Sequence, residues 1–440
     1  MTLNTQNIKH AAFDPLSQFL KKESSSSILM LIAMASAMIL ANSGYSEMYH
    51  NFWQTKFGAT FGSVTLYKPI ILWINDGLMA IFFLVIGLEI KREILIGELS
   101  TLKQALLPLV GAIGGAVIPA LIYITINYKG GIPAGWGVPM ATDIAFAIGI
   151  MALLGSRVPI QLKIFITSLA VVDDMIAVLV IAFFYTSEIL TNYLFYAGIT
   201  IFVLILLNVF KVRAILAYLV VGVVLWYFFL KSGIHATIAG VILAFFIPSE
   251  PRIPMATFKK SMGIFMVELK HSKNNPDSEI PTKEQKYIFN KIIHASLSAY
   301  NPMSRLEYNL HSLSAFLIMP LFAFANTGVT ITSGSMTGLM SQASLGIIFG
   351  LMLGKPIGIM TFLKLGQKFK LIEIPAILTN SRLFGASVLS GIGLTMSIFI
   401  ASMAFSADFV DIAKLSIVIV SVICGISGYL ILRNTSNRIT

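Results

Sequence analysis

Charge is what this sequence has least of. Of its 440 residues only 12% are charged while 56% are hydrophobic, and the mean hydropathy is +0.84. Soluble domains carry about 25% charged residues, and a water-facing shell cannot be assembled from half that proportion. A soluble globular fold is therefore excluded, and the chain reads as an integral membrane protein. Cysteine is almost missing as well. The single Cys424 rules out a disulfide framework and any Cys-based zinc site, and in its apolar run it packs as a small hydrophobe. Arginine is absent from the interior of every apolar run, so no fixed guanidinium waits inside the membrane for an organic anion.

What the sequence does have is apolar length. Twelve runs stand out: 25–42, 72–90, 104–127, 137–154, 160–185, 191–210, 213–230, 233–248, 312–329, 343–363, 380–406 and 411–432. Each approaches the ~20 residues a helix needs to cross the hydrocarbon core. With the N-terminus placed inside, 25 of the 31 Lys and Arg fall on the cytoplasmic side. The other side holds Lys56, Lys68, Lys129, Lys231 and Lys414, and Lys355 lies within a run. This is the positive-inside pattern, with both termini cytoplasmic. The net charge of +11 is thus topological, and nucleic-acid binding is excluded.

The organisation expected along the chain follows from the same pattern. Residues 1–24 form a cytoplasmic amphipathic lead-in, with Phe13, Leu16, Phe19 and Leu20 on one face, that runs into an uncleaved first span. Spans 1–8 occupy 25–248. Between the first two, residues 43–70 set Phe52, Trp53, Phe57, Phe61 and Tyr67 among Thr, Ser and Gly, which predicts an extracytoplasmic hairpin with Gly58 and Gly62 near its turn. Residues 249–311 form a long polar cytoplasmic loop, of which 270–278 reads as disordered. Spans 9–12 fill 312–432, and 433–440 is a cytoplasmic tail.

Nearly all of the twenty acidic residues lie in loops or at span ends. The exceptions are Asp76, Asp143 and the adjacent pair Asp173 and Asp174, and Lys355 is the one basic residue at comparable depth. A charge at the bilayer centre costs about 2.5–3.5 kcal/mol on insertion scales. A structural salt bridge with Lys355 accounts for one or two of these five, and the rest need water or an ion. On a helix Asp173 and Asp174 point about 100° apart, so one faces an aqueous cavity and the other a partner such as Lys355. Hard oxygen ligands of this kind suit a small alkali cation and not a transition metal. Asp76, early in its span beside Asn75, either faces an extracytoplasmic funnel or caps local packing.

Two spans carry helix breakers beside these charges. Residues 137–146 place Pro139 just before Thr142 and Asp143, and proline both lacks an N–H and clashes with the preceding turn. Residues 391–399 place Gly391 and Gly393 just before Thr395. Aligning Thr142 with Thr395 also aligns Phe146 with Phe399. Paired Gly/Pro-interrupted spans are the best sequence pointer to an ion site at the membrane midplane. Half-helix ends there need charges to offset their dipoles, and Asp143 and Lys355 are suited to that.

The runs 74–80 (Ile-Asn-Asp-Gly-Leu-Met-Ala), 87–93 (Gly-Leu-Glu-Ile-Lys-Arg-Glu), 141–146 (Ala-Thr-Asp-Ile-Ala-Phe), Val172-Asp173-Asp174, 231–237 (Lys-Ser-Gly-Ile-His-Ala-Thr), 321–326 (Leu-Phe-Ala-Phe-Ala-Asn) and Gly354-Lys355-Pro356 closely resemble the NhaA family of sodium/proton antiporters. The resemblance covers about residues 13–250 and 304–430 in order. It implies an all-α polytopic membrane fold of twelve transmembrane helices, with spans 3–5 and 10–12 as inverted-topology repeats and spans 4 and 11 crossing as broken helices. That family is itself a type example of this architecture. The resemblance also implies a homodimer joined through 43–70, in a bacterial inner membrane. It further implies a transporter and not an enzyme, with sodium (or lithium) and protons as cargo and no cofactor.

Carried over residue by residue, the resemblance makes Asp173 and Asp174 the ion- and proton-exchanging pair. Asp174 would be the main cation ligand and Asp173 the carboxylate paired with Lys355. Thr142 and Asp143 would lie at the broken helix next to the site. Glu89, Arg92, Glu307 and His311 resemble positions at the cytoplasmic mouth linked to pH response, and His235 a position that tunes the pH profile; a satisfied helix-end imidazole is the competing reading of His235. Two departures touch that mouth: residues 250–303 are longer than usual, and Tyr308 stands where a His is frequent. The expected activity is electrogenic, pH-regulated sodium export against proton entry. The alternatives are a sodium-coupled symporter of an organic anion, which would want a larger polar cavity, and a membrane pH sensor using the long loop, which leaves the buried aspartates unexplained.

Overall fold

The hydrocarbon core offers no water to backbone N–H and C=O groups, so an apolar chain crossing it must satisfy them within each segment as helix. The computed structural model, which describes residues 15–61, 64–186, 189–272 and 280–436, follows that rule. Among the described residues nine helices are long and apolar enough to span a membrane, or up to eleven when two bent pairs are each counted as one span. The protein is an all-α polytopic membrane protein. In chain order the first elements are α1 (Pro15–Ala41), α2 (Ser46–Gln54), the antiparallel strands β1 (Lys56–Phe61) and β2 (Val64–Pro69), α3 (Ile70–Ile96) and α4 (Leu102–Asn127). A 3₁₀ segment (Pro133–Met140) leads to α5 (Ile144–Leu153), followed by α6 (Ile160–Phe184), α7 (Thr191–Val209), α8 (Ile215–Ser232) and α9 (Ile238–Phe246).

The second half comprises α10 (Met255–His271), α11 (Lys283–Ala299), α12 (Pro302–Asn326), α13 (Ser333–Gly338) and α14 (Gln342–Lys368), then α15 (Asn380–Leu389), α16 (Leu394–Ala404) and α17 (Ala407–Ser436). The ninth span starts well before residue 312. Asn301 caps its N-terminus by accepting the Ser304 N–H at 2.7 Å, and Pro302 opens its first turn, so the polar stretch that reads as loop is helix. The loop from 249 therefore gives way to helix at 302, and α10 and α11 fill most of it. Lys291 ties these two together, 3.2 Å from Glu268 and 4.8 Å above the Tyr287 ring. The eighth span is short, because Gly233 ends α8 at φ +88° and helix resumes only at Ile238. The region 43–70 holds a helix, α2, ahead of its hairpin. Gly58 sits opposite Tyr67 in the ladder, where a Cβ would lie 1.8 Å from the Leu66 carbonyl oxygen. The tail from 433 continues α17 through Ser436. Phe13 and most of the amphipathic lead-in, Gly62, and 273–279 of the expected disordered stretch lie outside the described residues.

Two large apolar cores and a small third cluster around Ala116, Ala120, Met140 and Val180 organise the bundle. The smaller of the two large cores joins α7, α8 and α9 to Leu84 and Leu88 of α3 and Met303 and Leu306 of α12. The larger takes in the remaining spans and surrounds the buried charges. Within it α4 and α14 cross backbone to backbone. A Cβ on Gly114 would meet the Gly358 carbonyl oxygen at 2.3 Å, and one on Gly358 the Gly114 oxygen at 2.1 Å. Small residues permit such close approach where lipid gives helices no hydrophobic reason to associate.

Three spans contain a widened π-helical turn: Trp73–Leu78 in α3, Ser314–Ile318 in α12 and Gly350–Gly354 in α14. Prolines account for the last two. Pro320 and Pro356 lack the N–H that would reach residues 316 and 352, and their rings press on those carbonyls, so the turn before each opens. Such turns gather at functional sites, and Lys355 follows directly on the third.

Candidate ion-exchange site

The site starts at the midpoint of α6. Asp173 and Asp174 are both 3% exposed, deep enough that each carboxylate needs a partner. Asp173 Oδ2 accepts from Lys355 Nζ at 2.5 Å and from Thr142 Oγ1 at 2.8 Å. Lys355 itself is wholly buried. The Thr142 hydroxyl also lies 2.9 Å from the Ser390 carbonyl oxygen; having one proton, it donates to one of them at a time. Oδ1 of Asp173 and Oδ1 of Asp174 are buried with no hydrogen-bond partner among the described residues. Two acceptor oxygens thus lie unsatisfied on neighbouring side chains, in a region where desolvation makes an unmet acceptor costly.

Both chain breaks meet beside this pair. Residues 141–143 run extended between the 3₁₀ segment and α5, and α15 and α16 bend by 48° across 390–393. Asp143 joins the two. Its N–H donates to the Ile392 carbonyl at 2.7 Å, and its Oδ1 accepts the Phe146 N–H at 3.3 Å, capping α5. Its Oδ2 accepts the Thr395 N–H at 3.1 Å and the Thr395 hydroxyl at 2.5 Å. One carboxylate therefore faces the N-termini of two half-helices, each carrying about half a positive charge. Ser397 Oγ donates back to the Val138 carbonyl at 2.8 Å, and Ser421 Oγ accepts the Gly393 N–H at 3.2 Å. These bonds satisfy backbone groups that the breaks set free.

A cavity of about 90 Å³ connects the crossing to one face of the bundle. Asp174, Asp143, Thr142 and Thr395 line its inner end, and Glu89, Arg92 and His311 its outer part. Asp173 is not among its lining residues. At the mouth Arg92 bridges Glu307 and Glu93, the latter at 2.9 Å, and His311 Nε2 lies 3.8 Å from Glu89. The remaining two sequence candidates stand apart. Asp76 lies on the first π turn, 3.2 Å from Lys68 at the base of the hairpin. His235 bonds Thr237 at 3.1 Å and stands edge-on to Phe399 of α16, 5.4 Å between ring centroids.

Some contributors escape a reading of charges alone. Thr395 had a signal, its alignment with Thr142, but nothing in one sequence says that it donates to Asp143. Asn75 and Asn326 exchange amide hydrogen bonds at 2.9 and 3.3 Å, tying α3 to α12 beside the core. Lys91 caps α9 in trans, donating to the carbonyls of Phe245 at 2.7 Å and Ile247 at 2.5 Å, a cation at a helix C-terminus.

Comparison with known proteins places the chain in a family. The sequence pattern of the family described as Na+/H+ antiporter 1 matches residues 17–432. The chain is 44% identical over 424 residues to the Na(+)/H(+) antiporter NhaA of Oleidesulfovibrio alaskensis, covering 95% of this chain and 93% of that one. It is 43% identical over 427 residues to the protein of the same name from Salmonella paratyphi A, covering 96% and 98%. Against that from Escherichia coli O1:K1 / APEC the identity is 43% over 423 residues, covering 95% and 97%.

Proposed function

The chain belongs to the Na+/H+ antiporter 1 family and is a sodium/proton antiporter; from that premise we propose that Asp174 and Asp173 form its exchange site. The observation that carries this reading is Asp174, which lines the inner end of a cavity and whose Oδ1 is buried without a hydrogen-bond partner among the described residues. Hard carboxylate oxygens suit a small alkali cation. A proton and a sodium ion compete for the same lone pairs, so the site holds one or the other, and that competition is the exchange. Asp173 holds Lys355 while the site is empty of sodium, and its free Oδ1 turns to the cation when sodium enters. Thr142 and Asp143 keep the broken spans crossed around the site. No resident cofactor takes part.

Several finer points belong to the same proposal. Entry of more than one proton for each sodium leaving would move net charge, each charge worth about 2.3 kcal/mol per 100 mV, and this makes the exchange electrogenic. The Glu89–Arg92–Glu307–His311 cluster sets the pH response, because it holds the charges at the cavity mouth. Lys and Arg placement supports cytoplasmic termini in a bacterial inner membrane. The β1–β2 ribbon supports a homodimer. It is only two strands wide, leaves outer edges to pair, and carries Phe57 and Tyr67 at 67% and 58% exposure. The deciding experiment for the site is Asp174→Asn in everted vesicles, which keeps the volume and removes the ionisable oxygen. Sodium-evoked ΔpH should vanish at every pH. Normal exchange at wild-type expression would refute the assignment.

A further inference from the structure

A second cavity, remote from the aspartates, lies on the seam between the α10–α11 hairpin and the bundle. It encloses about 160 Å³ and is lined by Arg213, Arg252, His294, Tyr300 and Arg305, with Ser298 among the remaining contacts. Three guanidiniums and an imidazole thus open on one small space. Their compensation is thin. Arg213 donates to the Pro251 carbonyl at 2.7 Å and lies 3.8 Å from Glu250, whose side chain is 80% exposed. Among the described residues neither Arg252 nor Arg305 has an ion-pair partner.

Backbone bonds fasten the chain segments that carry these side chains. The N–H groups of Arg252 and Ile253 donate to the Ser298 carbonyl at 2.8 and 3.2 Å, and Met303 N–H donates to the Pro248 carbonyl at 3.1 Å. Four separate stretches of chain, at the start of α8, after α9, on α11 and on α12, are held with their positive ends together. Like charges fixed in a concavity repel, and a multivalent anion removes that cost. Guanidinium forks match the oxygens of a phosphate two at a time, and the space admits a tetrahedral oxyanion with some water. Basic pockets beside membrane helices take phosphate head groups by the same chemistry.

We propose that this seam is a binding site for a phosphate-bearing anion, built jointly by the insertion and the bundle. It does not rest on the reading of the exchange site. The test uses the full-length protein in detergent, titrated with inorganic phosphate against sodium chloride at matched ionic strength to remove screening. A parallel arm compares nanodiscs of phosphatidylglycerol with nanodiscs of phosphatidylcholine. Arg252 and His294 are exposed, so the double variant Arg252→Gln, His294→Gln should fold, and Arg252→Lys keeps the charge while losing the fork.

Phosphate should raise the melting temperature of the wild type beyond the chloride control. Its affinity should fall at least tenfold in the double variant and by less in Arg252→Lys. If inorganic phosphate has no effect but phosphatidylglycerol stabilises the wild type more than the double variant, the anion is a lipid head group and the site stands. If wild type and double variant respond equally to both probes, the proposal is wrong.

Discussion

Replacing Lys355 by methionine separates the charge of the buried pair from its volume. Methionine is nearly as long and fills gaps adaptably, so little is lost to packing. What is lost is the ammonium 2.5 Å from Asp173. Asp173 is then left at 0% side-chain exposure with the Thr142 hydroxyl as its remaining donor. Breaking a buried pair from one side costs ~3–5 kcal/mol. At an unfolding entropy near 2.1 cal/mol/K per residue, 440 residues give roughly 0.9 kcal/mol/K, so the melting temperature should fall by about 3–5 °C. Asp173→Asn strands the ammonium instead and should cost a similar amount. The double variant removes both charges, and a buried pair replaced by neutral groups is often energetically neutral. It should therefore recover to within about 1 kcal/mol of wild type while all three variants fail to exchange ions. Melting in detergent and ΔpH in everted vesicles, read on the same preparations, complete the cycle. Independent sites add to within ~0.5 kcal/mol. A double variant as unstable as the sum of the two singles would refute the pairing.

Thr395→Val removes a hydroxyl donor to Asp143, and hydrogen bonds to charged groups contribute about 1.5–3 kcal/mol; exchange should slow while sodium affinity changes less, as an initial-rate titration would show. Gly114→Ala and Gly358→Ala each push a methyl into the opposing backbone and should destabilise by ~1–3 kcal/mol, whereas Gly198→Ala, which meets nothing within 4 Å, should melt like wild type. Glu307→Gln removes one of the two carboxylates that Arg92 bridges and should displace the pH dependence of exchange without lowering its maximum, measured as ΔpH across a pH series. Replacing residues 250–301 with a Gly/Ser linker long enough for the gap should leave exchange at optimum pH intact, because no residue of the proposed exchange site lies there.

The sequence makes the membrane plan legible because hydropathy and Lys/Arg placement are linear properties, readable run by run. The breaks at 141–143 and 390–393 were legible for the same reason: Pro139, Gly391 and Gly393 act on their own backbone. The start of α12 was not, since its first turns are as polar as a loop, and only the Asn301–Pro302 cap marks them. The charges of the site were visible as isolated Asp and Lys in apolar runs. Their neutral partner Thr395 was legible only through its alignment with Thr142, and only the crossing of distant segments makes it a donor to Asp143. Of the other ionisable candidates, His235 packs on Phe399 and Asp76 pairs with Lys68, and neither lines the cavity at the site.

The long chain distances spanned by these contacts also set a schedule for biogenesis. Lys355 follows Asp173 by 182 residues and Thr395 follows Asp143 by 252. Ribosomes add about 5–20 residues per second, so the first half of the bundle waits roughly 10–50 s for the groups that neutralise it. During that interval α6 holds a carboxylate without its ammonium, and Asp143 caps one half-helix where it will later cap two. The early spans must therefore keep these positions wet, or shielded by the insertion machinery, until α14 and α16 arrive. Closure of the site thus comes late in assembly, with only α17 still to follow, and a chain that stalls before residue 395 leaves an assembly intermediate in which Asp143 lacks its second half-helix.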